Sequence, residues 1–332
     1  MTAYFIGAGA SYGTFRRSRF CPPIGSQFGL SLQRAVPRWA DVYPGLGRVV
    51  RHIGSPIERI SLERMWTCID YYAKLRRALP AAAWSRSSRP THDLKRALLK
   101  LYGSACGDLV DRLPLSDDYT LGWLLKHRLR HGDVLISFNY DTIVERLASR
   151  FGHDLRMMSM PPSSTIQILK PHGSVGWKMD WAAGHVRMTT AEHRPILEAM
   201  AEDDVGSTFE PLLLGAVPIK SELILEVQRC YFPEVFDVVV DQWKAITDAV
   251  RDADALVIVG YGFPSEDQYG RFLLSEAMRS RSRRPIPKVE YFELASKRHH
   301  TRSAIRSAFG EPRLKPRYLG RVKPARLDRT AG

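Results

Sequence analysis

Five short apolar runs, most of them ending in glycine or a polar cluster and leading into a helical pattern, constrain this chain more than any other feature. The clearest is Ala255-Leu256-Val257-Ile258-Val259, unbroken as a strand buried on both faces must be, which ends in Gly260-Tyr261-Gly262-Phe263-Pro264. Near the start, Tyr4-Phe5-Ile6 runs into Gly7-Ala8-Gly9-Ala10-Ser11. A run from Asp133 to Phe138 ends in Asn139-Tyr140-Asp141, and one from Ile166 to Lys170 ends in Pro171-His172-Gly173-Ser174. The last, Val289 to Leu294, precedes a helix holding Ile305, Ala308 and Phe309. Strands alternating with helices predict an α/β fold, a Rossmann-like parallel sheet with helices on both faces. Ligands of such sheets sit at the carboxyl ends of the strands, and every cluster just named falls there.

Between the first two runs the period changes. Ile60, Leu62, Met65, Trp66, Ile69, Tyr72 and Leu75 recur at spacings of three and four, and Leu94, Leu98, Leu101, Tyr102 and Leu109 do so again. Such stripes predict a helical insertion over 41–129, set into a sheet domain made of 1–40 and 130–310. Further helices are expected from about Pro23 to Ser26 onward, after Asp141, around Phe236 to Val250 and from Asp267 to Met278. Residues 178–250 otherwise read as polar connections around a Pro-bounded segment near 210–220. From residue 311 to 332 the chain has few apolar residues and alternating Pro, Arg and Lys, the composition of a flexible basic tail.

With 44% hydrophobic and 25% charged residues the chain has the makeup of a soluble globular protein. No run approaches the roughly 20 apolar residues that cross a bilayer, and the start lacks the pattern of a signal peptide, so a cytoplasmic protein without membrane contact is expected. The formal charge of +14 is unevenly placed: residues 279–332 carry 16 Lys and Arg against four acidic residues. A terminal concentration of this kind reads as an arm for an acidic partner, nucleic acid or a neighbouring subunit, or as a solvated basic face. Cys21, Cys68, Cys106 and Cys230 form no C-x-x-C pair, so ordinary thiols are expected and no metal site.

Taken in chain order, Gly7-Ala8-Gly9-Ala10-Ser11, then Ser137, Asn139 and Asp141, then His172-Gly173, then Gly260-Tyr261-Gly262 resemble the motif set of the sirtuin superfamily. The likeness is to the divergent bacterial sirtuin-like domains that cleave NAD in antiphage defence, and it spans roughly residues 4 to 309. Deacylating sirtuins also carry a four-cysteine zinc module that these scattered cysteines cannot build. The family's late loop serine is replaced by Gly262.

The resemblance implies an NAD glycohydrolase giving nicotinamide and ADP-ribose, or cyclic ADP-ribose, with NAD as substrate. It implies an abortive-infection effector acting as a homo-oligomer with a separately encoded defence partner, such as a nucleic-acid-handling ATPase or nuclease. The alternatives are an NAD-dependent protein deacylase and a non-catalytic module that binds NAD or ADP-ribose. By the same resemblance, Gly7, Gly9, Ser11 and the Gly260–Gly262 loop offer donors to the two phosphates, with Ala8, Ala10, Ser137 and Tyr261 beside them. Asn139 holds ribose hydroxyls or the attacking water, Asp141 orients the loop, and His172 acts as base. Read as single residues, Asn139 and Asp141 are equally turn or cap residues, and Asp267 is a helix cap in preference to a ligand contact. Glu293 either approaches a ribose or alternates outward.

Overall fold

A computed structural model of the chain describes residues 1–16, 21–75, 90–106, 108–156, 165–180, 185–188, 209–213, 233–265, 267–281, 284–293 and 298–325. In chain order its strands are β1 (Thr2–Ile6), β2 (Val134–Ser137), β3 (Leu155–Arg156), β4 (Ile166–Leu169), β5 (Gly173–Asp180), β6 (His185–Met188), β7 (Phe209–Leu213), β8 (Ala255–Val259), β9 (Lys288–Glu293) and β10 (Arg317–Arg321). Seven of them form one parallel sheet in the order β10-β9-β8-β1-β2-β4-β3. The expected α/β architecture is therefore the observed one.

β1 lies at the centre, and its alternation explains the layers. Tyr4 and Ile6 point into one core with Leu135, Val257 and Val259, while Ala3 and Phe5 point into a second core with Ile136, Leu256 and Ile258. Successive side chains of a strand face opposite ways, so a strand apolar throughout must be covered twice. The first core is covered by α1 (Ala8–Phe15), α2 (Phe28–Ala35), α3 (Trp39–Val42), α4 (Pro44–Ile53), α5 (Leu62–Leu75), α6 (Pro90–Cys106), α7 (Asp108–Asp111), α8 (Thr120–His127) and α9 (Ile143–Arg150). The second is covered by α10 (Pro233–Asp252), α11 (Gln268–Arg279) and α12 (Arg298–Phe309). The helical insertion thus packs on one face of the sheet.

Three features depart from expectation. The helix expected near Pro23 is the second: α1 begins at Ala8, so the Gly-Ala-Gly-Ala-Ser cluster is itself the first turn of a helix with Gly7 as its extended N-cap. Residues 173–213, read as polar connections in part, contain a second sheet in which β5 pairs antiparallel with β6 and β7. The supposed flexible tail is structured as far as Ala325. Its β10 extends the main sheet beside β9, and Leu314, Val322 and Ala325 are buried. Residues 214–220 of the Pro-bounded segment, Cys230, Leu294 and residues 326–332 lie outside the described residues.

Part of the basic end lies in this segment. Arg313, Lys315, Arg317, Arg321 and Lys323 are exposed and interleaved with the buried positions on and around the open edge of the sheet. Charged residues on an edge strand discourage a second chain from pairing with it. Upstream, the buried Arg281 donates to the carbonyls of Val250, Arg251 and Ala253, closing the C-terminal end of α10 with a cation where the helix dipole favours one.

Candidate active site

The ends of β1, β2, β8 and β9, together with the turn after β4, surround a cleft of about 340 Å³, within the range of small-molecule sites. β1 is the point where the chain turns from building one half of the sheet to the other, which is where open α/β sheets bind ligands. Ala8, Gly9 and Ser11, Asn139 and Asp141, His172, Gly260 to Gly262, and Glu293 all line it. The insertion closes the opposite wall with Glu63, Trp66 and Tyr102.

The glycines have a steric task first. A Cβ on Gly7 would lie 2.4 Å from Tyr261 Cα, and one on Gly9 2.8 Å from Gly260 O. Gly260 sits at φ +60°, with its own Cβ position 2.2 Å from Ala10 N. The β1 and β8 loops therefore touch backbone to backbone, an approach only glycine permits. Gly7 N–H donates to Val259 O (3.0 Å), Gly9 N–H to Gly260 O (2.9 Å) and Gly260 N–H to Phe292 O (3.0 Å). These donors, expected to cradle phosphates, are spent on the fold; Gly262, where a Cβ would meet nothing, carries no such constraint.

Asn139 is fixed by the β1 loop. Its Nδ2 donates to Gly7 O (3.1 Å) and to Ser11 Oγ (3.0 Å). A carbonyl only accepts, so the atom facing Gly7 must be the NH₂ group, and the amide orientation follows. This leaves Oδ1 buried without a partner among the described residues, in a residue that lines the cleft. A buried acceptor without a donor is rare and calls for an explanation, here a ligand hydroxyl or water.

Ser11 passes the network on: its hydroxyl accepts from Asn139 and bonds to Asp141, which in turn accepts from Ile143 N–H (3.1 Å) at the start of α9. Ser11 thus bridges two site residues and is not a free phosphate donor. Burial pushes the Asp141 carboxyl up to about 6, with Lys170 opposing the rise and Glu145 adding to it. Beneath it, Lys170 Nζ donates to Asp141 O and pairs with Glu145 out of contact with water.

The sign of the Asp141 effect is opposite to the usual carboxylate case. Its proton is held more tightly in the fold than at the ordinary value of 3.8, so its contribution to stability is present at low pH and is lost as pH rises through about 6. Asp141→Asn keeps an oxygen to cap Ile143 and removes this titration. Urea unfolding is expected to show the wild type losing stability relative to the variant between about pH 4 and pH 7. Parallel curves would refute the buried-carboxyl assignment.

His172, at the turn after β4, is nearly buried. Its ring lies 5.5 Å from Phe138 and edge-on to Trp243 at 6.1 Å, and its Nε2 is 3.1 Å from Asp267 Oδ2. Asp267 Oδ2 also accepts from Tyr261 Oη (3.0 Å), and Oδ1 accepts from Gly270 N–H (3.1 Å). Asp267 is the N-cap of α11 as the sequence indicates and also borders the cleft, while its contact with His172 is one that the sequence does not signal. The Tyr261 ring stacks on Phe138 at 4.0 Å, and burial, with the Asp267 charge beside it, raises its phenol well above the ordinary value.

Glu293 does not alternate outward. Its carboxylate is buried, accepts from Thr301 Oγ1 (2.7 Å) and borders the cleft. Sequence reasoning also missed Glu63, which packs so closely on Gly25 that a Cβ there would lie 2.1 Å from its Oε1. Among the described residues no group of three or more His, Cys, Asp or Glu is placed to hold a metal ion, and no helix is long and apolar enough to cross a membrane. No family model matches the chain, and no curated protein matches it.

Proposed function

We propose that this protein is an NAD glycohydrolase that cleaves the bond between nicotinamide and ribose. The observation that carries the reading is Asn139: an amide locked by Gly7 and Ser11, with a buried carbonyl oxygen left for a ligand, in the same cleft as His172. The order of motifs along the chain supplies the substrate class. Asn139 Oδ1 accepts a hydrogen bond from a ribose hydroxyl or from the attacking water, and Glu293 borders the part of the cleft where the second ribose would lie.

The C1′–N bond breaks with its electron pair leaving on nicotinamide, through a transition state of oxocarbenium character like that of sugar hydrolysis. Nicotinamide departs as a neutral base and needs no proton, so the burden falls on positioning the water and taking its proton. Water attacks C1′ and its proton passes to His172. The balance is NAD⁺ and water giving nicotinamide, ADP-ribose and one proton. The walls formed by Phe138, Trp243 and Tyr261 limit bulk water around the base.

By the same resemblance the activity serves antiphage defence through abortive infection, in a homo-oligomer with a separately encoded partner. Nicotinamide release is followed by chromatography, with and without an acylated peptide. Release from NAD alone is the expected result. Release only with peptide would make the protein a deacylase, and tight NAD binding with no release would make it a binding module.

A further inference from the structure

We infer that Asp267 is the positioning residue of His172: it accepts a hydrogen bond from Nε2–H, so that Nδ1 is the nitrogen that takes the proton during NAD cleavage. The inference rests on the reading of His172 as base, but its geometry stands apart from the substrate. A carboxylate accepts and does not donate. Burial alone would push Asp267 up, yet the facing imidazole of His172 and the hydrogen bonds from His172, Gly270 N–H and Tyr261 outweigh it and hold the group below the ordinary carboxylate value. Being ionised, it requires donors at all three contacts.

The consequence for the imidazole is specific. Nε2 carries a hydrogen whether the ring is neutral or charged, because it faces Oδ2 at 3.1 Å. The proton that comes and goes is then the one at Nδ1. Tyr261 Oη at 3.0 Å and Gly270 N–H at 3.1 Å hold the carboxylate in place, so it cannot swing away when the ring changes charge. Phe138 and Trp243 restrain the ring. The β8 loop and the first turn of α11 thus fix the base on the turn after β4, joining two residues that are 95 apart in the chain.

The test separates this from the helix cap that the same residue provides. Asparagine caps helices about as well as aspartate, so Asp267→Asn keeps the Gly270 contact and the start of α11. It removes the charge and offers an NH₂ group that favours the wrong imidazole tautomer. Histidine-selective ¹⁵N labelling of the full chain, with the His172 signals assigned from His172→Gln, reports the tautomer directly by NMR.

The wild type is expected to show Nε2 protonated and Nδ1 bare in the neutral ring. In Asp267→Asn the pattern is expected to shift toward Nδ1–H, with NAD turnover down at least about 10²-fold and NAD affinity nearly unchanged. A wild-type ring protonated at Nδ1 instead, or a spectrum and rate unchanged in the variant, overturns the assignment. The wild-type spectrum decides even if the variant fails to fold. A pinned tautomer released by the substitution, in a protein that leaves NAD intact, upholds Asp267 and rejects the hydrolase reading alone.

Discussion

His172→Ala is expected to lower NAD turnover by about 10²–10⁴-fold, the usual contribution of a positioned general base, while NAD still binds. The ring touches Phe138, Trp243 and Asp267 and lines the cleft, so its removal takes away the proton acceptor and leaves the surrounding loops intact. Asn139→Ala is expected to lose as much turnover by a different route. Its carbonyl oxygen no longer holds the ribose or the water, and Gly7 O and Ser11 Oγ each lose a donor. Stability should therefore fall by about 1–3 kcal/mol in Asn139→Ala, the cost of buried groups left unpaired. Single-turnover nicotinamide release, calorimetric titration with NAD and unfolding curves measure the three quantities. Near-wild-type turnover in either variant would remove that residue from the mechanism.

Ending the chain after Pro312 is expected to cost the fold itself. The cut removes β10, the buried Leu314, Val322 and Ala325, and the bonds from Val322 N–H to Glu293 O, from Lys323 N–H to Thr120 Oγ1 and from Ala325 N–H to Thr14 O. Those three bonds tie the segment to the end of β9, to α8 and to α1. Burying one Leu or Val side chain contributes about 1.5–3 kcal/mol, and a whole domain is stable by only about 5–15 kcal/mol. The truncated chain should show a large loss of cooperative unfolding by circular dichroism. A truncation at Pro312 that unfolds like the full chain would restore the flexible-tail reading.

The parts of this protein that sequence makes legible are those where one physical demand dominates. Ala255 to Val259 has to be covered on both faces, so its place in the middle of a parallel sheet can be read directly. β10 hides because its environment is half solvent: Tyr318, Leu319 and Gly320 are partly exposed between Arg317 and Arg321, and no apolar run marks the strand. β5 to β7 hide for a related reason, since a small antiparallel sheet needs little apolar sequence and β7 pairs with β5 from beyond β6 in the chain.

In the site, the residues that line the cleft can be found from strand ends alone, but their division of labour cannot. Gly7, Gly9 and Ser11 look like ligand donors in sequence. Only the close approach of the β1 and β8 loops shows their N–H and hydroxyl groups engaged with Gly260, Val259, Asn139 and Asp141. Asp267 shows the converse: a good N-cap signal conceals a second use, because nothing local links it to a histidine 95 residues earlier. Within the basic end, Arg281 closes a helix and Lys288 and Arg317 lie beside the buried Glu290, which Arg128 from a distant part of the chain also meets.

The most direct measurement is a crystal structure of His172→Ala with NAD, a variant expected to bind the dinucleotide without turning it over. The nicotinamide ribose is expected beside residue 172 with a hydroxyl or a water on Asn139 Oδ1, and the other ribose near Glu293. NAD found outside this cleft, or bound with its nicotinamide end turned away from Asn139, would contradict the assignment of the site.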